Sequence, residues 1–157
     1  MIKNISNLGD AALYCDFGNE VNKSINSQVI KYFKTIKEKK LKGINNLTPS
    51  YNKLIISFDL RQTNFNEVKK YIENLDVEAS LKINTKKLEI PVCCAETFSL
   101  DAKRLEKILN LSIEKILENF LNKEYFCYMT GFIAGMPFLG DLDQNMRANR
   151  LETPRVK

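Results

Sequence analysis

The first 93 residues alternate between two kinds of hydrophobic pattern. Apolar side chains at every second position predict strands, and apolar side chains recurring every three or four positions predict helices. The predicted strands cover 11–17, 44–48, 53–59 and 88–93, and the predicted helices cover 23–40 and 65–75. The resulting order of elements is β-α-β-β-α-β.

Helix-capping and turn residues support these boundaries. Asn22 and Asn64 stand where N-cap residues are expected, and Glu67 completes a capping-box spacing with Asn64. Residues 49–52, Pro-Ser-Tyr-Asn, form a turn by composition and join two strands into a hairpin. The order matches a ferredoxin-like split βαβ arrangement, an α+β fold with both helices on one face of an antiparallel sheet.

Two short helices are predicted after residue 94. They cover 100–109 and 113–121, with Ser99 and Ser112 as N-caps and Asn110 in a left-handed turn between them. A helix-turn-helix that reads DNA would carry basic side chains on its second helix. Here Glu114 and Glu118 outnumber the basic residues, so a structural helical hairpin is favoured and nucleic-acid binding is disfavoured.

Residues 125–140, YFCYMTGFIAGMPFLG, contain no charge, although 27% of the chain is charged. This run is shorter than the roughly 20 apolar residues that cross a membrane. Its first five residues predict a buried strand. The glycines and proline that follow predict a loop over 131–140 that packs inside the domain or lines a site or an interface.

Composition excludes several chemistries. The 157 residues include no histidine, which removes imidazole-based catalysis and zinc sites that need histidine. The four cysteines form no metal-binding or disulfide pattern, so they are interpreted as small buried residues in a reducing compartment.

The N-terminus has no apolar signal-peptide segment, and we expect a cytoplasmic protein. The net charge of +5 is interpreted first as a contribution to solubility, and only second as a sign that the protein binds a polyanion such as a nucleic acid.

Three weaker motifs carry less weight. The spacing of Gly135 and Gly140 matches half of a phosphate-binding loop, but Asp141 and Leu142 replace the lysine and hydroxyl residue that such a loop needs. Asp141 and Asp143 suit a metal or acid–base pair less well than a solvated turn or cap, and no metal site is predicted. A basic tail is interpreted as solvated, or as contacting an acidic partner or substrate; it comprises Arg147, Arg150, Arg155 and Lys157.

The uncharged stretch and its flanks resemble a known family. The residues of this chain that carry the resemblance are Glu-Tyr at 124–125, Gly-Phe-x-x-Gly-x-Pro-x-Leu-Gly-x-Leu-Asp over 131–143, and Thr-Pro-Arg at 153–155. The chain is identified on these motifs as a member of the PxpB/KipI family. Members are called 5-oxoprolinase B subunit, allophanate hydrolase subunit 1 or kinase A inhibitor, and they carry a carboxyltransferase-type domain.

The resemblance implies two domains. Residues 1–93 would form the ferredoxin-like domain, and 94–157 would form an incomplete cyclophilin-like β domain that includes the helical hairpin. The chain ends before the segment in which family members continue. We therefore expect uncovered barrel edges, and either a homodimer through those edges, exchange of elements, or dependence on a partner subunit.

The resemblance also implies a function. Family members pair with a larger PxpC/KipA-like subunit, and with a PxpA-like third subunit they form an ATP-dependent 5-oxoprolinase. The chain would then be a hydrolase subunit that is inactive alone and binds no cofactor by itself, the ATP being used by the complex. A kinase-inhibitor-like binding protein and an inactive remnant remain alternatives. The substrate stays open among 5-oxoproline, allophanate and urea-type compounds.

No catalytic residue is assigned by these patterns. The hypothesis for substrate binding, or for a subunit interface, is that the 131–140 loop offers backbone N–H groups to a carbonyl or carboxylate, with an arginine as anion partner. The residues assigned to this site are Gly131, Phe132, Gly135, Pro137, Phe138, Gly140 and Arg155.

Overall fold

A computed structural model describes residues 1–77, 83 and 85–153. The chain divides into two compact units. The first contains Met1–Lys86 and Cys127–Phe138, and the second contains Lys87–Phe126 and the chain from Leu139 onward. Within the described ranges, no helix is both long enough and apolar enough to cross a membrane. The predicted division into domains 1–93 and 94–157 stays a prediction.

The first unit is built on a four-stranded antiparallel sheet in the order β1-β2-β4-β3. Its strands are β1 (Asn4–Asn7), β2 (Ala12–Asp16), β3 (Ile44–Pro49) and β4 (Lys53–Phe58). Its helices are α1 (Lys23–Lys39) and α2 (Phe65–Glu73). All five elements predicted between residues 11 and 75 are therefore confirmed within one or two residues at most boundaries.

One face of this sheet carries the core. Alternate residues of β2 and β4 point to the same side because side chains alternate along a strand, and the register places Leu13 opposite Ile56 and Cys15 opposite Leu54. Helices α1 and α2 cover this face. The buried cluster consists of Leu13, Cys15, Phe17, Val29, Ile36, Leu54, Ile56, Phe58, Val68 and Ile72.

Both predicted asparagine caps of the first unit are confirmed. The Asn22 Oδ1 accepts the Ile25 N–H at 2.9 Å, and the Asn64 Oδ1 accepts the Glu67 N–H at 3.1 Å. Each cap satisfies one of the N–H groups that the first turn of a helix leaves without an intrahelical partner. The amide side chains thus decide where α1 and α2 begin.

The prediction of a strand over 88–93 was wrong. This segment forms no strand, and its alternating apolar side chains Leu88, Ile90 and Val92 are exposed. The edge position beside β2 is occupied by β1, in which Ile5 lies opposite Cys15. Pro91 also lacks the N–H that a strand ladder needs. The α+β class is confirmed, whereas the ferredoxin-like and cyclophilin-like descriptions remain predictions.

The second unit contains the predicted helical hairpin. Helices α3 (Ala102–Leu109) and α4 (Ile113–Leu121) are joined through Asn110, which adopts the predicted left-handed conformation with φ 53°. Ser112 caps α4 as predicted. Ser99 does not cap α3, which begins two residues later than predicted, because its hydroxyl donates to the Cys94 carbonyl at 3.2 Å.

Two further strands, β5 (Phe126–Thr130) and β6 (Pro137–Gly140), pair with each other as a two-stranded sheet. Strand β5 confirms the strand predicted over 125–129, but the prediction that this strand is buried holds only for Tyr128. Short 3-10 helices at Glu96–Phe98 and Gln144–Met146 complete the described secondary structure.

A partly buried ion pair at the end of β2 holds the chain where it leaves the sheet. The Lys53 ammonium pairs with the Asp16 carboxylate and donates to the Gly18 carbonyl at 2.7 Å. The same Asp16 oxygen accepts the Gly18 N–H at 2.7 Å. The Lys53 bond and, less strongly, the Gly18 N–H lower the pKa of Asp16 from its ordinary value of 3.8.

Replacing Ile56, which is fully buried at the centre of the sheet, should test the core. We expect Ile56→Ala to lower the free energy of unfolding by about 3 kcal/mol, because the removed methyl groups leave a cavity. Ile55→Ala, the neighbouring change on the opposite face, should cost about 1 kcal/mol. Urea denaturation followed by circular dichroism measures both, and equal losses would contradict the assignment of the core face.

The Asp16–Lys53 pair predicts a pH-dependent stability. Because the folded pKa of Asp16 is lowered, the pair stabilises the protein above pH 3.8 and its contribution is lost as the pH falls through that lower pKa. We expect Lys53→Met to cost about 1 kcal/mol at pH 7 and progressively less toward pH 2. Exposed Lys70→Met is the control, and a loss for Lys53→Met that is independent of pH would argue against the pair.

Candidate functional site

The uncharged stretch of the sequence folds as a β-hairpin. Strands β5 and β6 are joined by residues 131–136, which we call the hairpin tip. The Gly131 N–H donates to the Met136 carbonyl at 3.1 Å, and the Met136 N–H donates to the Ile133 carbonyl at 3.2 Å. The prediction of a continuous loop over 131–140 was therefore wrong at its C-terminal end, where β6 begins at Pro137.

The tip contains two residues with left-handed backbone conformations. Gly135 has φ +80°, a conformation that glycine adopts without steric cost. Phe132 has φ 68°, which costs a residue with a side chain roughly 1–2 kcal/mol. Such a cost is retained only where the surrounding structure imposes it, and backbone strain of this kind concentrates at functional sites.

A buried amide attaches the base of the hairpin to α1 and the β3–β4 turn within the first unit. Asn26 in α1 is 2% exposed, and its Nδ2 lies 3.1 Å from the Ser50 carbonyl oxygen, 3.0 Å from that of Tyr51 and 3.1 Å from that of Tyr128. Two amide hydrogens are thus shared among three carbonyl groups. These bonds join α1, the β3–β4 turn and β5 at one point.

Aromatic contacts reinforce this attachment. The ring of Tyr51, in the β3–β4 turn, lies 5.8 Å from the ring of Tyr128 and 6.0 Å, edge to face, from the ring of Phe138. Such pairs contribute about 0.5–1.5 kcal/mol beyond the area they bury. The Ser50 hydroxyl also donates to the Met129 sulfur at 3.3 Å. Both strands of the hairpin are therefore held at their base.

The tip itself is exposed and apolar. The side chain of Phe132 is 91% exposed and that of Ile133 is 62% exposed, and Met136 is partly exposed beside them. No charged residue lies between Tyr125 and Gly140. Contiguous exposed apolar groups on a soluble protein typically mark a surface that contacts another molecule. The arrangement can bind through burial of apolar area, and it presents no group suited to proton transfer.

The structure brings together most of the predicted site residues. Gly131, Phe132 and Gly135 lie in the tip, and β6 contains Pro137, Phe138 and Gly140. Arg155 lies outside the described residues. Because the N–H groups of Gly131 and Met136 are bonded within the tip, they are not directed at a ligand. Donation to a substrate by the remaining N–H groups of the loop stays a prediction.

Two residues that build the site were not assigned to it from the sequence. Asn26 interrupts the apolar face of α1 between Ile25 and Val29, and an amide in that position signals a buried hydrogen-bonding role. Tyr51 lies in the predicted turn, where nothing in the local pattern distinguishes it from a solvated residue. Its ring partners, Tyr128 and Phe138, come from β5 and β6, which lie far along the chain.

The cysteines and carboxylates offer no assembled catalytic group among the residues that the structure describes. Cys93 and Cys127 are exposed and Cys94 is partly exposed, so the prediction that all four thiols are buried was wrong for these three. Burial raises the pKa of the Cys15 thiol to about 12, which makes it unreactive. Asp143 is paired with Lys123. Within the same residues, no cluster of three or more potential metal-ligating cysteine or acidic side chains is present.

Comparison with known proteins identifies the relatives of this chain. Residues 3–157 match the family model described as carboxyltransferase domain, subdomain C and D. The chain is 31% identical over 163 residues to a protein of Bacillus subtilis named as the B subunit of 5-oxoprolinase, an alignment covering 96% of this chain and 68% of that protein. It is 30% identical over 118 residues to a protein of the same name in Haemophilus influenzae, covering 73% of this chain and 50% of that protein.

The fold is also found in a solved structure. The crystal structure of TTHA0988 superimposes with a TM-score of 0.78 over 93% of this chain and 29% of that chain, at 24% sequence identity. At this identity the likeness concerns the fold alone. The chain thus spans about two thirds of one curated relative and half of the other.

Replacing the amide of Asn26 should test the attachment of the hairpin. Asn26→Asp keeps the size of the side chain but directs carboxylate oxygens at three carbonyl groups. We expect it to lower the free energy of unfolding by about 3 kcal/mol and to increase hydrogen exchange in β5. The control is Asn46→Asp, because the exposed Asn46 amide donates to Thr48 within β3. Unchanged exchange in β5 of Asn26→Asp would contradict the anchoring role.

Proposed function

Because the chain belongs to the carboxyltransferase domain family, subdomain C and D, we propose that it is one subunit of a 5-oxoprolinase-type complex. Two curated relatives that it matches are both named as the B subunit of 5-oxoprolinase. The observation on this chain that carries the proposal is the exposed, uncharged hairpin tip on an anchored base. We propose that this tip contacts a larger PxpC/KipA-like subunit.

The energetics of the tip suit a protein interface. Burying the side chains of Phe132 and Ile133 would contribute roughly 1.5–3 kcal/mol each, which is the magnitude of an interface hot spot. Because Asn26 and Tyr51 already hold the base of the hairpin, little conformational freedom remains to be lost on binding. An anchored apolar projection therefore fits docking into a recess of another subunit.

The chemistry of the complex would reside mainly outside this chain. The sequence contains no histidine, and the exposed apolar tip offers neither a nucleophile nor a base. We propose that ATP and 5-oxoproline are handled by the assembled complex, including a PxpA-like third subunit, and that the cyclic amide is opened there to glutamate. This chain would contribute binding surface and would be inactive alone.

The double change Phe132→Ser/Ile133→Ser should distinguish a role of the hairpin tip in subunit binding from a role in folding. Because both side chains are exposed, we expect circular dichroism and the urea midpoint to stay unchanged. Co-purification with a co-expressed PxpC/KipA-type subunit should fall at least tenfold, since two buried anchors are lost. The matched control is Leu60→Ser, which removes an exposed apolar side chain elsewhere on the first unit.

The activity assay uses the wild-type chain with the larger and third subunits, following ATP-dependent formation of glutamate from 5-oxoproline. We expect activity only when this chain is included, and at least a tenfold loss with the double variant. A wild-type chain that copurifies with the larger subunit but supports no 5-oxoproline cleavage would contradict the substrate assignment. Failure to copurify would contradict the proposed assembly.

A further inference from the structure

A cleft of about 330 Å³ lies on the first unit between the C-terminal part of α1 and the edge strand β3. Its floor is apolar and its rim is basic. The apolar lining comes mainly from Phe33, Leu41, Ile44 and Leu47, and the rim includes Lys37 and Lys40. The cleft is formed by different residues from the hairpin tip.

The positive charge at this cleft comes from Lys37 and Lys40, which line it. Both belong to a lysine-rich part of the chain, because positions 31–42 have six lysines and one acidic residue, Glu38. One or two lysines in the last turn suit the negative end of the helix dipole. The Lys37 ammonium lies 5.6 Å from the centre of the Phe33 ring, so it stays close to the apolar lining. A ligand that combines carboxylates with an apolar group would complement both features.

The backbone at Lys40 is unusual for a lysine. Lys40 ends α1 in the left-handed conformation, with φ 44° and ψ 51°. This position is usually occupied by glycine or asparagine, because other side chains are strained there. A lysine in this place retains a positive charge at the cleft despite that strain.

The surroundings favour recognition by side chains of a polypeptide. Small-molecule sites generally have convergent polar groups inside the pocket, whereas here the lysines lie at the rim and the Asn46 amide donates to the Thr48 hydroxyl at 3.1 Å. Addition of a strand to the edge of β3 is hindered by the irregular register between Ile44 and Asn46 and by Pro49, which has no N–H.

We propose that this cleft binds an acidic segment of a partner protein. An apolar side chain of the segment occupies the floor, and flanking carboxylates pair with Lys37 and Lys40. Exposed charges of this kind govern the rate and the salt dependence of association, and the apolar anchor supplies much of the affinity. The proposal does not depend on the function proposed for the hairpin tip.

The test uses the full chain and a fluorescein-labelled peptide with a central leucine–phenylalanine pair between two glutamates on each side. Fluorescence anisotropy should show binding that weakens between about 50 and 300 mM salt, because exposed charges are screened. Lys37→Glu/Lys40→Glu should weaken binding by about tenfold or more. Lys70→Glu/Lys86→Glu, with the same change of net charge on the same unit, should leave the affinity within about twofold.

Two altered peptides complete the design. A peptide with lysines in place of the glutamates should not bind, and a peptide with serine and glycine in place of the central pair should bind at least tenfold more weakly. Equal losses in the two double variants would overturn the proposal, because net charge alone would then explain binding. Equal binding of the serine–glycine peptide would overturn the role of the apolar floor.

Discussion

One buried amide determines how the hairpin is attached to the rest of the first unit. The Nδ2 of Asn26 is within hydrogen-bonding distance of three carbonyl groups that come from the β3–β4 turn and from β5. Leaving a buried carbonyl without a donor costs about 1–3 kcal/mol. Every alternative placement of β5 would have to replace the bond to the Tyr128 carbonyl, so the amide favours one position for a segment about 100 residues away in sequence.

This attachment explains why an uncharged, glycine-rich segment can be ordered at its base and exposed at its end. The Tyr51 ring contacts both strands near the base, while the side chains of Phe132 and Ile133 remain largely exposed at the tip. Helix α1 therefore contributes to two separate surfaces. Asn26 near its start supports the hairpin, and Lys37 near its end borders the basic cleft, about 16 Å further along the helix axis.

The elements that were predicted correctly are those whose sequence determinants lie within the element or a few residues from it. Asn22, Asn64 and Ser112 accept bonds from N–H groups three residues ahead, so the signal and its partner are close in sequence. The apolar faces of β2, β4 and α1 likewise follow from periodicity within each element. The strand predicted over 88–93 fails because a strand also needs a neighbour, and β1, a polar segment with little strand signal, takes the position beside β2.

The sequence by itself determined where α1, α2 and α4 begin, the core face of the sheet and the location of an unusual uncharged segment, because caps and hydrophobic periodicity act over a few residues. It also carried the family motifs around Gly131. Only the tertiary structure decided that Phe132 is exposed, that Asn26 is a structural donor and that Lys37 and Lys40 border an apolar cleft. These features depend on contacts between distant segments, which no local pattern encodes.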